Sequence, residues 1–77
     1  MPKGLVNWTF NDVVGVLKEH GFQLNYVNSS HYYYTGHYGK ILRQVCVPFH
    51  GKKTLKPRTL KGIIIQSGIP KERWLEQ

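Results

Sequence analysis

The chain has 77 residues, 40% of them hydrophobic, with eleven Lys or Arg against four Asp or Glu and a formal net charge of +7. That length fits one small domain, 1–77, with a workable core. A lone cysteine, Cys46, excludes an internal disulfide framework, and no apolar run approaches the roughly 18 residues of a membrane span.

The opening residues show no apolar leader segment, so a cytoplasmic location is expected. Residues 1–7 carry little pattern and are expected to fray. Thr9 then reads as an N-cap, with Asp12 three residues on completing a capping box and Trp8 placed to staple Val13. Phe10, Val13, Val14 and Leu17 recur at helical spacing, which predicts a helix from Phe10 to Glu19 or His20 that stops at Gly21. Phe22, Leu24 and Tyr26 alternate with Gln23, Asn25 and Val27, the pattern of a strand with one buried face. Asn28, Ser29 and Ser30 form a turn. His31 to Thr35 is a second strand rich in aromatic β formers, and Gly36-His37-Tyr38-Gly39 reads as a loop. A third strand runs from Ile41 to Val47 or Phe49, with Cys46 as a small buried hydrophobe and Pro48 ending or edging the strand. Pro57 suits the first turn of a second helix reaching Ser67. Leu60, Ile63 and Ile64 are its buried stripe, Ile65 lies at the flank, and Gly68 and Pro70 stop it. The tail, 70–77, holds Trp74 and Leu75 in a polar setting and reads as a short turn or a partner contact.

The connections are too short for parallel crossovers. The expected fold is therefore α+β, in the order α-β-β-β-α. Two helices cover one face of a three-stranded antiparallel sheet, and Tyr, Asn, Gln and Arg side chains lie on the other. That is the layout of a double-stranded-RNA-binding domain.

Charge is distributed unevenly along this plan. Between Gly21 and Pro70 there is no Asp or Glu, whereas Lys40, Arg43, Lys52, Lys53, Lys56, Arg58 and Lys61 all fall there. A middle of one sign repels itself and points to a polyanionic partner, nucleic acid foremost, over a merely solvated face. Lys52, Lys53, Lys56 and Arg58 precede or open the second helix, so their charges join its exposed N–H groups and positive dipole end to make an anion site. Lys61 and Arg43 are weaker phosphate contacts on the same reading.

The four histidines, His20, His31, His37 and His50, lack ligand spacing and have no Cys pair or carboxylate beside them. Neither a zinc site nor a two-metal nuclease follows from such a set, and no metal or other cofactor is expected. Metal-free cleavage of RNA is easier to assemble, because the 2′-OH is a built-in nucleophile. Histidine can move the protons, and Lys and Arg can stabilise the transition-state charge. His20 ends a helix, where a structural role favoured by the dipole suffices. His37 sits in the glycine-flanked stretch read as a mobile loop. His50 opens the basic loop as a phosphate contact or second proton carrier. His31 starts a strand, a rigid mount suited to a catalytic group, although spacing alone leaves a structural role equally open. Tyr33 shares its face, and Tyr32 and Tyr34 take the other. These aromatics fit either base stacking or ordinary sheet packing.

The runs KEHGFQL, NSSHYYY and VCVPFHGKKTLKPRTLKGIIIQSGI, in register over about Trp8 to Ile69, resemble the HicA toxins of type II toxin–antitoxin systems. The resemblance implies a double-stranded-RNA-binding-domain-like fold, a metal-independent mRNA interferase activity, and a HicB-type antitoxin as partner. It also implies an essential histidine in the family's Gly-Ser-His motif, which falls on His31. Ser29 stands where the family often has Gly, and Arg58 at another such position, adding charge where phosphate would bind. The resulting expectation is an endoribonuclease with His31 catalytic and with Lys52, Lys53, Lys56, Arg58, Lys61 and His50 on RNA. Trp74 and Leu75 are candidate anchors for the antitoxin. A non-catalytic RNA-binding module is the alternative, followed by a protein whose basic face docks an acidic partner.

Overall fold

The computed structural model describes residues 4–76, and its first helix, α1 (Phe10–Glu19), opens on the reciprocal cap that the sequence predicts. The Thr9 N–H donates to Asp12 Oδ2 at 2.9 Å, and the Asp12 N–H donates to Thr9 Oγ1 at 3.3 Å. Residues 1–3 and 77 lie outside the described residues. Of the remaining lead-in, Gly4 accepts a hydrogen bond from the Trp8 indole and Leu5 packs against the core, so this part does not fray as expected.

Strands β1 (Gln23–Asn28), β2 (His31–Tyr38) and β3 (Ile41–Pro48) form an antiparallel meander in the order β1-β2-β3. Helix α2 (Pro57–Ser67) carries Pro at its start and Gly68 in the left-handed conformation at its end, as predicted. The buried sheet residues Tyr34, Val45 and Val47 form one cluster with the buried stripes of α1 and α2, including Val13, Leu17, Leu60 and Ile63. The α+β architecture is thus the expected one.

Several details correct the sequence reading. The strand predicted to end at Thr35 continues to Tyr38, and the turn shrinks to Gly39 and Lys40. Both turn residues have positive φ, 64° and 67°, as a two-residue type I′ hairpin requires. Gly36 does not mark a loop. A Cβ there would lie 2.8 Å from the Phe22 ring and 2.9 Å from its Cα, so this glycine lets Phe22 pack against the strand backbone.

The predicted alternation in β1 also fails. Leu24 pairs with Tyr34 and Tyr26 with Tyr33, so a bulge at Asn25 inserts one extra residue. Leu24 and Tyr26 then point to opposite faces, each 47% exposed, while Phe22, just before the strand, is buried. Cys46 is half-buried on the face away from the helices rather than in the core. Arg43 lies on the helix side, not the open side. It pairs with Gly36, donates from Nε to the Tyr38 carbonyl at 3.3 Å, and lies over Gly68. Ile65, placed at the flank of the second helix, is 69% exposed.

The tail forms a third short helix, α3 (Lys71–Leu75). Trp74 is fully buried, packs edge-on against Trp8 with ring centroids 5.7 Å apart, and donates from Nε1 to the Ile69 carbonyl at 3.3 Å. It is a core residue and offers no surface as an antitoxin anchor; Leu75 is half-buried. Trp74→Ala should therefore lower unfolding stability by about 3–5 kcal/mol, read as the shift in urea-unfolding midpoint. A shift within the error of the wild-type midpoint would show that the tail does not carry core packing.

Candidate nucleic-acid interface

The start of β2 meets the end of β3, and that junction joins His31 to the basic loop. His31 pairs with Pro48, and beyond that pair the Phe49 N–H donates to the Ser30 carbonyl at 2.7 Å. Hydrogen-bonded and non-hydrogen-bonded pairs alternate along an antiparallel ladder. His31 and Pro48 are therefore a non-hydrogen-bonded pair, with Cα atoms about 4.5 Å apart and side chains close. The missing N–H of proline faces the outer edge of β3 and breaks no ladder bond. Two residues further along that edge, the Cys46 N–H is met by Gln66 Oε1 at 3.1 Å.

Beyond Pro48 the Phe49 ring packs against Phe10 at 5.0 Å and Tyr32 at 5.7 Å. These contacts fix where the loop departs. His50 follows, about 7 Å along extended backbone from Pro48. A turn brings the Lys53 N–H onto the His50 carbonyl at 3.2 Å. Thr54 then bridges to Thr9, and the Leu55 N–H donates to the Trp8 carbonyl at 2.6 Å. The loop is thereby tied to the start of α1, with Leu55 buried as its anchor.

Between this loop and α2 lies a cleft of about 350 Å³ lined by His50, Lys53, Thr54, Leu55, Lys56 and Thr59. Lys56 is the N-cap residue of α2 and no side chain caps that helix end. Its first N–H groups and positive dipole end therefore stand beside the lysines. Such a setting can hold an anion, and phosphate is the obvious one.

The structure separates the predicted cationic set. His50, Lys53 and Lys56 line the cleft. Lys52 and Arg58 are exposed, one in the loop and one in the first turn of α2, and neither lines it. Lys61 borders a different groove, with Leu5, Pro57, Leu60, Ile64, Ile65 and Lys71. Thr54 and Thr59 were not singled out from the sequence. Thr59 had a legible signal, since it stands three residues after Lys56 and so one helical turn above it.

The histidines also separate. His31 is exposed on the open face of the sheet, in line with Tyr33 and His37. His37 is a strand residue, not part of a mobile loop. The His20 ring is held by Nδ1 against the Val16 carbonyl at 2.9 Å, consistent with a structural role. Among the described residues no three His, Cys, Asp or Glu side chains converge, and no helix is long and apolar enough to cross a membrane.

A family model described as HicA toxin of bacterial toxin-antitoxin matches residues 10–69. The chain belongs to the HicA toxin family. As a HicA toxin it is one component of a toxin–antitoxin system, with an antitoxin as its partner. Comparison with curated proteins and with solved structures gives no match. The matched span of this HicA chain includes the Ser30–Phe49 junction and the cleft but stops short of α3, whose Trp74 nonetheless completes the core.

Ser29, in the turn before His31, has a φ of 58°. A side chain in that region costs about 1–2 kcal/mol, and glycine would relieve it while adding about 0.4–1 kcal/mol of unfolded-state freedom. Ser29→Gly should therefore stabilise the HicA fold by about 0.5–1 kcal/mol, measured by thermal unfolding. A lowered melting temperature would show that the serine side chain stabilises this turn.

Proposed function

We propose that this toxin is a metal-independent endoribonuclease that cleaves mRNA, with His31 as general acid or base. The observation that carries this reading is the junction itself. In a chain of the HicA family, the strand register sets His31 opposite Pro48, two residues from the His50 that opens the cationic cleft.

The chemistry needs little else. A 2′-OH attacks the adjacent phosphorus as its proton passes to a base. The bond to the 5′ oxygen breaks, and that oxygen takes up a proton, leaving a 2′,3′-cyclic phosphate and a 5′-hydroxyl end. His31 serves one of these transfers and His50 the other. Lys53, Lys56 and the uncapped N-terminus of α2 hold the phosphate and the charge that grows on its oxygens. Lys52 and Arg58 contact flanking phosphates, and Lys61 a more distant one. A HicB-type antitoxin would restrain the enzyme by covering His31 and the cleft. An enzyme of this substrate class works in the cytoplasm, where mRNA is.

One observation favours a second reading, a non-catalytic RNA-binding module. Among the described residues no group hydrogen-bonds the His31 ring to fix its orientation. An enzyme of this kind would rely on the bound RNA to do so.

Purified protein should cut unstructured RNA in excess EDTA, and His31→Ala should abolish cutting without changing the melting temperature. Undiminished cleavage by that variant would remove His31 from the mechanism. With about four phosphates contacted on single-stranded RNA, affinity should fall roughly 50-fold between 50 and 200 mM salt. Lys53→Gln and Lys56→Gln should each lower the logarithmic salt slope by about 0.7. A salt-independent affinity would count against the cleft as the phosphate cradle.

A further inference from the structure

The open face of the sheet carries a feature that the cleavage chemistry does not use. The Tyr26 and Tyr33 rings are stacked, with centroids 4.4 Å apart and planes 10° from parallel. Tyr33 is half-buried and stands opposite Cys46 of β3, and the nearby thiol pushes its hydroxyl above the usual pKa. Tyr26 is 47% exposed. One ring is thus held by the sheet while the other is presented to solvent.

The bulge makes this stack possible. Continuing the pairing of Leu24 with Tyr34 without an extra residue would set Asn25 opposite Tyr33 and send Tyr26 to the helix side, opposite Tyr32. The added residue at Asn25 moves Tyr26 onto the open face against Tyr33. Bulges commonly re-aim a side chain in this way next to a functional site.

The stack is continuous with the proposed site. Tyr33 lies two residues from His31 on the same face of the same strand, about 7 Å away along the backbone. No acidic residue occurs between Gly21 and Pro70, so nothing on this face repels a phosphodiester chain. An exposed ring beside a cationic groove is the arrangement by which proteins hold unpaired bases, through sequence-tolerant stacking.

We propose that the Tyr26–Tyr33 stack is a nucleobase-stacking subsite for single-stranded RNA, seating the base next to the phosphodiester at His31. This rests on the ribonuclease reading and narrows it. A base locked in a duplex cannot offer its face to Tyr26, so unpaired RNA is the substrate despite the resemblance of the layout to a double-stranded-RNA-binding domain.

The test uses His31→Ala protein, so that RNA stays intact, and two probes: a hexauridylate and an abasic hexamer with the same ribose-phosphate backbone. The base-bearing probe should bind about tenfold or more tightly than the abasic one. Tyr26→Leu, which keeps an apolar side chain without a ring, should bring the two affinities together, and Tyr26→Phe should keep them apart. Equal binding of both probes by the His31→Ala parent, with RNA cleavage by the wild type intact, removes the stacking subsite alone. Discrimination that survives Tyr26→Leu overturns it as well. Should Tyr26→Leu leave discrimination unchanged but weaken antitoxin binding, the stack belongs to a protein interface instead. A wild type that neither binds nor cleaves RNA removes the ribonuclease reading together with the subsite.

Discussion

The hydrogen bond from the Phe49 N–H to the Ser30 carbonyl is the contact on which the site depends. It carries the β2–β3 ladder one step past the His31–Pro48 pair, whose proline nitrogen faces the outer edge. Without that step the basic loop would leave the sheet without a fixed direction. With it, the turn before His31 and the exit of β3 become one unit, and the loop that follows is aimed at the N-terminus of α2. The Phe49 ring reinforces the bond by lying among Phe10 and Tyr32. Backbone pairing sets the register, and apolar packing holds the exit angle.

The loop is then held at its far end by different means. Leu55 is buried, and its N–H is satisfied by the Trp8 carbonyl. Lysines therefore sit on a segment constrained at both ends, which limits the entropy lost when they bind an anion. The mixture is economical for a small domain. Apolar side chains and backbone bonds hold the loop, and its Lys52, Lys53 and Lys56 stand exposed at the surface. Among the described residues, the ion pair between Arg73 and Glu76 joins two exposed side chains on the tail, neither of which lines the cleft.

Local signals made much of this legible in the sequence. Thr9 with Asp12, Pro57 and Gly68 each announce a helix end through their own chemistry, and those boundaries fall where expected. The errors occur where a residue serves a partner distant in sequence. Gly36 looks like a loop residue because glycine usually is one, but here it accommodates Phe22. Tyr26 follows the period of Phe22 and Leu24 until a bulge, invisible to periodicity, moves it to the other face. Trp74 looks like an exposed tail aromatic because its partner, Trp8, lies at the other end of the chain. At the site, the cationic stretch was evident from composition. Its division between a cleft and a separate groove depends on how α2 faces the rest of the fold, and residue spacing conveys that only in part. Thr54 enters the cleft through a bridge to Thr9 that no local pattern encodes.

The pairing of Trp8 with Trp74 also bears on how the chain matures during synthesis. Ribosomes deliver the chain from its N-terminus, so the sheet, the basic loop and α2 all emerge before Trp74. Trp8 supplies the carbonyl that fastens Leu55, and its ring packs against that late residue. The cleft therefore reaches its settled form only after Trp74 has emerged, and a nascent chain that stops short of it carries the cationic residues without the finished cradle that orders them.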